Sequence, residues 1–155
     1  VRPSLKNILA QIIEYHPKGD KVLVSAHSSE LEKLGWKFNK GNVPSAYLVG
    51  ALVAKKAKEK GITSAILDTG IRSITKGSRI CACLKGAIDF GLDIPHSPEI
   101  FPDEERLRGA HIAKFAQIKE KDPEKYKTIF SSYLKKDVKI TDIEKVFEEV
   151  KSKIR

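Results

Sequence analysis

Asp68, Thr69 and Gly70 follow a short apolar run, and this is the first arrangement in the sequence that could do chemistry. An Asp-Thr-Gly turn at a strand end is how aspartic-type hydrolases present a carboxylate, and two such carboxylates must share one proton. The chain holds one copy, so that reading requires a dimer acting through Asp68; the simpler reading is an Asp that ends a strand and turns the chain. Gly70 to Ser78 has the composition of a phosphate loop, but Lys76-Gly77-Ser78 is not the Gly-Lys-Ser order such a loop needs. A basic loop at a helix start can still hold nucleic-acid phosphates through its backbone N–H groups. His16, His27, His96 and His111 lack metal-ligand spacing, and no metal or cofactor is expected. Cys81 and Cys83 point in different directions on a helix and read as two small, half-buried thiols. Trp36 and Phe38 flank Lys37, a pattern that can stack on bases while neutralising phosphate; the alternative is that a ring plugs the edge of the core.

The elements that must position these groups follow from periodicity. Residues 6–15 read as a strand with Ile8, Ala10 and Ile12 on one face, and residues 21–27 as the returning strand with Val22, Val24 and Ala26 inward. The opposite faces carry Asn7, Gln11, Lys21, Ser25 and His27, interrupted by Leu9, Ile13 and Leu23. One packed face and one open polar face are expected. Residues 36–42 read as a polar loop, with Asn42 capping a helix that has Pro44 in its first turn and Gly61 after its end. Ala46, Val49, Gly50, Val53, Ala54 and Ala57 form a stripe of small residues suited to close packing against the sheet. Residues 64–68 read as a short buried strand, and 69–77 as a basic loop. Ser78 is expected to cap a second helix with Ile80, Cys83, Leu84, Ala87 and Ile88 inward. Pro95, Pro98 and Pro102 mark a connector, and the pattern after Asp103 is helical to the end. Thr141 and Glu144 form a capping box for the last helix, whose Ile143, Val146, Phe147, Val150 and Ile154 make an apolar stripe.

The fold class expected is α/β (α+β): a small mixed sheet with an antiparallel hairpin, packed by two helices, with an open polar face and a helical C-terminal extension. No run is long and apolar enough for a transmembrane helix, and no signal peptide is visible. The chain starts at Val1 and holds no Met, so we expect residues of the gene product to precede it. Its 29 Lys and Arg against 20 Asp and Glu give +9, which favours a polyanionic partner, nucleic acid or an anionic membrane surface. Residues 1–98 hold 15 basic and 8 acidic side chains, and residues 99–155 hold 14 and 12. Two stretches lack acids, 33–58 and 69–86, and both fall around loops.

Five blocks in register then carry a family likeness. Residues 2–11 (Arg-Pro-Ser-Leu-Lys-Asn-Ile-Leu-Ala-Gln), 25–36 (Ser-Ala-His-Ser-Ser-Glu-Leu-Glu-Lys-Leu-Gly-Trp) and 41–50 (Gly-Asn-Val-Pro-Ser-Ala-Tyr-Leu-Val-Gly) resemble the large-subunit ribosomal protein family L-eighteen, as do 66–79 and 94–111. The segment beyond about residue 93 resembles the archaeal and eukaryotic forms, since the bacterial form stops there. The resemblance implies a non-enzymatic ribosomal protein that binds 5S ribosomal RNA. It would help attach that RNA to the large ribosomal RNA in the central protuberance, beside neighbouring ribosomal proteins, in the cytoplasm, with no membrane and no small-molecule substrate. It also implies a basic arm before the first strand, of which Arg2 would remain. The loop at 69–79 is longer than the bacterial pattern. RNA contact is carried onto Arg2, Ser4, Lys6, Asn7, Gln11, Ser25, His27, Ser28, Asn42, Lys76, Ser78 and Arg79, and charge and loop placement add Lys37, Lys40 and Arg72. On this reading residues 1–95 are the RNA-binding domain and 96–155 the connector and helical extension. A general RNA chaperone is the remaining alternative.

Overall fold

Alternation of apolar and polar residues at 8–14 and 21–27 produces two paired strands. The computed structural model describes residues 1–118, 122–134 and 138–155. Strand β1 (Arg2–Pro3) pairs antiparallel with β2 (Ile8–Glu14), and β2 pairs antiparallel with β3 (Lys21–His27). Ile8, Ala10, Val24 and Ala26 are buried on the inner face, as the alternation requires. The register slips between Ile12 and Ile13: Ile12 faces Val24 but Ile13 faces Val22, which leaves Leu23 without a partner on β2. This bulge turns Val22 outward, and it is half exposed rather than inward as the alternation predicts. Beyond Leu9 the free edge of β2 faces residues 64–70 across a cleft of ≈ 630 Å³.

Residues 64–68 depart from the expected buried strand. Ser64 makes one isolated parallel bridge to Asp93, and Ile66 is 86% exposed. A short apolar run is ambiguous without its neighbours, and among the described residues no strand pairs with this segment to complete the ladder. The three named strands are therefore all antiparallel, and the parallel element is reduced to that bridge.

Helix α1 (Val43–Glu59) begins as its sequence directs: Asn42 Oδ1 accepts the Ser45 N–H at 2.9 Å, and Pro44 sits in the first turn. It is buried on nearly every side from Pro44 to Ala54, because the sheet covers one flank and other helices cover the rest. Helix α2 (Arg79–Asp89) is capped by Ser78, whose Oγ accepts the Cys81 N–H. The small residues of α1 serve this second helix more than the sheet. A methyl group on Gly50 would overlap the Cys83 carbonyl, and one on Gly86 would overlap the Tyr47 carbonyl, so the two backbones touch.

After the 3₁₀ turn at Pro98–Ile100 come the short helices α3 (Glu104–Arg108), α4 (Ala110–Ala116), α5 (Pro123–Ile129) and α6 (Ser131–Leu134), then α7 (Ile143–Ile154). The expected continuous helical pattern after Asp103 is thus a series of short pieces, and its residues 119–121 and 135–137 lie outside the described residues. The Thr141–Glu144 capping box is not formed. A 3₁₀ turn at Ile140–Asp142 leads into α7, whose N-cap is Asp142 with no side-chain cap bond. Ile143, Phe147, Val150 and Ile154 are buried in the main core, and the Phe147 ring lies 5.4 Å from that of Tyr47. Lys153 Nζ donates to the Leu34 carbonyl at 3.0 Å, so the last helix also braces the turn after β3.

The helix crossing gives a test. Gly50→Ala and Gly86→Ala should each lower unfolding free energy by about 3 kcal/mol in urea titrations, since neither helix can yield without moving the core.

Candidate nucleic-acid interface

The outer face of the sheet is built in rows. Arg2, Leu9 and His27 lie side by side across the three strands, and Gln11 stands opposite Ser25 in the next row. Arg2 and Ser25 are exposed, and Gln11 and His27 are half-buried. The end of β3 is held from beneath. Lys56 of α1 reaches over, donating to the Ser25 carbonyl at 2.8 Å and to Glu30 Oε2 at 2.6 Å, while Glu30 Oε1 accepts the His27 N–H at 2.8 Å. Lys60 repeats the reach one turn later, donating to the Leu23 carbonyl at 2.7 Å. Partial burial pushes the Glu30 carboxyl up, but the Lys56 ammonium, the His27 N–H and the nearby charges outweigh it, and its pKa lies below the usual 4.5. Lys56, Lys60 and Glu30 escaped the sequence reading as a unit. Their signal is the four-residue spacing of the lysines on a helix beside the sheet, and an acid three residues after His27.

At one end of the sheet three loops are tied together. Ser4 Oγ accepts the Asn7 N–H and donates to the Asn7 carbonyl, both at 2.9 Å, closing the turn between β1 and β2. Ser28, 0% exposed, accepts the Ile8 N–H at 3.0 Å and donates to Asn7 Oδ1 at 3.2 Å. Arg79 Nη1 donates to the carbonyls of Ser4 at 2.7 Å and Gly41 at 3.0 Å, joining the first turn of α2 to both the Ser4–Asn7 turn and the loop before α1. Gly41 lies so close that a Cβ there would stand 2.8 Å from the Leu5 carbonyl. Arg72, Ser78 and Arg79 line a shallow depression with Pro3 beside them.

The residues expected to touch RNA therefore fall into two sets. Arg2, Lys6, Lys37, Arg72 and Lys76 are exposed cations with no side-chain hydrogen bond or ion pair among the described residues, and Gln11 and Ser25 likewise keep their side-chain groups unengaged. Ser4, Asn7, Ser28, Asn42, Ser78 and Arg79 are engaged in holding the loops, and Lys40 pairs with Glu32 at 2.9 Å. His27 belongs to both sets, with its backbone N–H bound and one ring edge turned inward.

Trp36 and Phe38 do not stack on bases. They are 1% and 5% exposed, 5.2 Å apart, and Phe38 meets Tyr133 of α6 at 6.1 Å. Lys37 between them is exposed, because alternation along an extended segment sends it the other way. The tyrosine also accepts the Asn39 N–H, at 3.1 Å, through its hydroxyl. Asp68 is a turn residue: it is exposed, and its Oδ1 accepts the Gly70 N–H at 2.7 Å. Both cysteines are buried, and burial raises the Cys83 thiol to about 12, so it is inert. Among the described residues no group of three or more His, Cys, Asp or Glu could hold a metal ion.

An open sheet face bearing small polar groups, edged by lysines and arginines that are unpaired among the described residues, has the chemistry that suits a nucleic-acid partner. Residues 1–64 and 55–97 match the family described as ribosomal large subunit proteins 60S L5 and 50S L18. The chain belongs to this family: it is an RNA-binding structural protein of the large ribosomal subunit and not an enzyme, which also replaces the dimeric hydrolase reading of Asp68.

Two measurements follow from this wiring. Arg79→Ala should lower stability by about 2 kcal/mol by leaving two carbonyls without their charged donor, whereas Lys76→Ala should change it by less than about 0.5 kcal/mol. Equal urea midpoints for the two variants would contradict the assignment of Arg79 to the loops. The Glu30 carboxylate stabilises the fold fully above its unfolded-state value of 4.5, and that contribution disappears as pH falls through its lower folded-state value. Glu30→Gln should therefore melt below the wild type at neutral pH and approach it in acid.

Proposed function

We propose that this ribosomal protein binds 5S ribosomal RNA and helps attach it to the large ribosomal RNA in the central protuberance, within the cytoplasm. The observation that carries the proposal is the uncovered outer face of β1–β3, where Arg2, Gln11, Ser25 and His27 stand in two rows. Small polar groups there allow close approach of a sugar–phosphate backbone and its 2′-hydroxyls, and the surrounding cations neutralise phosphate. Direct contact is assigned to Arg2, Lys6, Gln11, Ser25, His27, Lys37, Arg72 and Lys76. Ser4, Asn7, Ser28, Lys40, Asn42, Ser78 and Arg79 act by shaping the loops that present them.

Residues 1–95 are taken as the RNA-binding part and 96–155 as the connector and extension that face neighbouring ribosomal proteins. The near balance of 14 basic and 12 acidic residues after residue 98 supports that division, since a segment of low net charge is poorly suited to gripping a polyanion.

Two experiments test the reading. In sucrose gradients of cell extract the chain should travel with the large subunit and with 5S RNA. In solution, log affinity for 5S RNA should fall linearly with log salt, by roughly 0.7–0.9 per phosphate neutralised, and Arg72→Ala with Lys76→Ala should reduce that slope by about 1–2. A flat salt profile would remove the proposal. Equal affinity for an unrelated structured RNA would replace it with a general RNA chaperone.

A further inference from the structure

His27 is fixed in one tautomer by its surroundings. The backbone N–H of Ser29 points at His27 Nδ1 from 3.2 Å, and the Ser29 hydroxyl lies 2.6 Å from the same nitrogen. A backbone N–H can only donate, so Nδ1 must offer its lone pair, and the hydrogen of the neutral ring is on Nε2. The backbone beneath is held as firmly: Glu30 Oε1 accepts the His27 N–H, and Lys56 holds the other carboxylate oxygen. Nε2 has no partner among the described residues, and it is not among the buried polar atoms left unpaired, which are Asn42 Nδ2 and His111 Nδ1. It therefore reaches the surface with its hydrogen free.

Its place on the sheet gives that hydrogen a use. His27 ends the outer row that starts at Arg2, with Leu9 between them, so the two residues stand two strand spacings apart, about 10 Å between their backbones. An RNA strand lying across this row meets a diffuse cation at one end and a single aimed donor at the other. We infer that His27 recognises RNA as a neutral, directional donor, giving its Nε2–H to an acceptor oxygen or nitrogen of the RNA, and so acts as a specificity-determining residue. The inference rests on the RNA-binding reading above and adds the direction and charge of the contact. A neutral donor selects by position and displaces no counterion. It contributes to affinity without contributing to salt dependence.

The test has two arms. In the first, two-bond ¹H–¹⁵N correlation spectra of the free wild-type protein at neutral pH report which ring nitrogen carries the hydrogen. Nε2–H with Nδ1 bare is expected; hydrogen on Nδ1, or on both nitrogens, overturns the inference without any RNA present. In the second, 5S RNA binding is measured against salt for wild type, His27→Gln, His27→Asn and His27→Ala. The Gln amide can place an N–H near Nε2, whereas the shorter Asn amide places it near Nδ1. His27→Gln should stay within about twofold of wild type, while His27→Asn and His27→Ala should lose about tenfold, all with the wild-type salt slope. Asn binding as well as Gln, or a slope reduced by about 1 in the Ala variant, overturns the inference while the 5S reading stands. A wild type that does not bind 5S RNA removes both.

Discussion

The contact between the α1 and α2 backbones at Gly50 and Gly86 sets the geometry of the sheet and of the loops around its end. Two helices whose main chains touch cannot tolerate a side chain at the crossing, and their separation is fixed by hard repulsion rather than by adjustable side chains. With α1 also packed on the inner sheet face, that crossing determines where the first turn of α2 stands relative to β1. Arg79, at the start of α2, can then reach the carbonyls of Ser4 and Gly41, and the loops around the end of the sheet take their positions from it.

The surface follows a division of labour. The side chains nearest the loops satisfy backbone groups: Ser4, Ser28, Asn42 and Ser78 each accept an N–H that would otherwise lack a partner. Arg2, Lys6, Lys37, Arg72 and Lys76 stand outside this network, exposed and unpaired among the described residues. From below, Lys56 and Lys60 extend from the solvent side of α1 to carbonyls of β3. Positive charge in the acid-free stretch 33–58 thus divides between cations that neutralise internal acceptors, such as Lys56, and cations with no partner among the described residues, such as Lys37.

The C-terminal extension completes the core. Phe147 against Tyr47, and Tyr133 against Phe38, bring aromatic rings from late in the chain onto α1 and the 36–42 loop. Tyr47 is buried with its hydroxyl on Asp89, and burial together with that carboxylate raises its hydroxyl pKa, which keeps it a neutral donor at 2.9 Å. The extension therefore reaches the outer sheet face indirectly, through the packing of α1 and of the 36–42 loop.

Much was legible in the sequence. Alternation at 8–14 and 21–27 determined the hairpin and its buried face. Asn42 and Ser78 determined where the two helices begin, because a cap is a local bond between residues three apart. The excess of Lys and Arg in the first 98 residues, with the five sequence blocks, marked the partner as RNA. What the tertiary structure decided were the outcomes that depend on distant neighbours. Residues 64–68 could not be a buried strand without a strand beside them. The Trp36 and Phe38 rings turned into the core, where Phe38 meets Tyr133, almost a hundred residues later in the chain. The small residues of α1 proved to face a second helix, and Arg79 proved to hold loops, since no local pattern encodes which carbonyls a long side chain will reach. Periodicity fixes the face a residue occupies; only packing decides what covers that face, and which polar groups remain free for RNA.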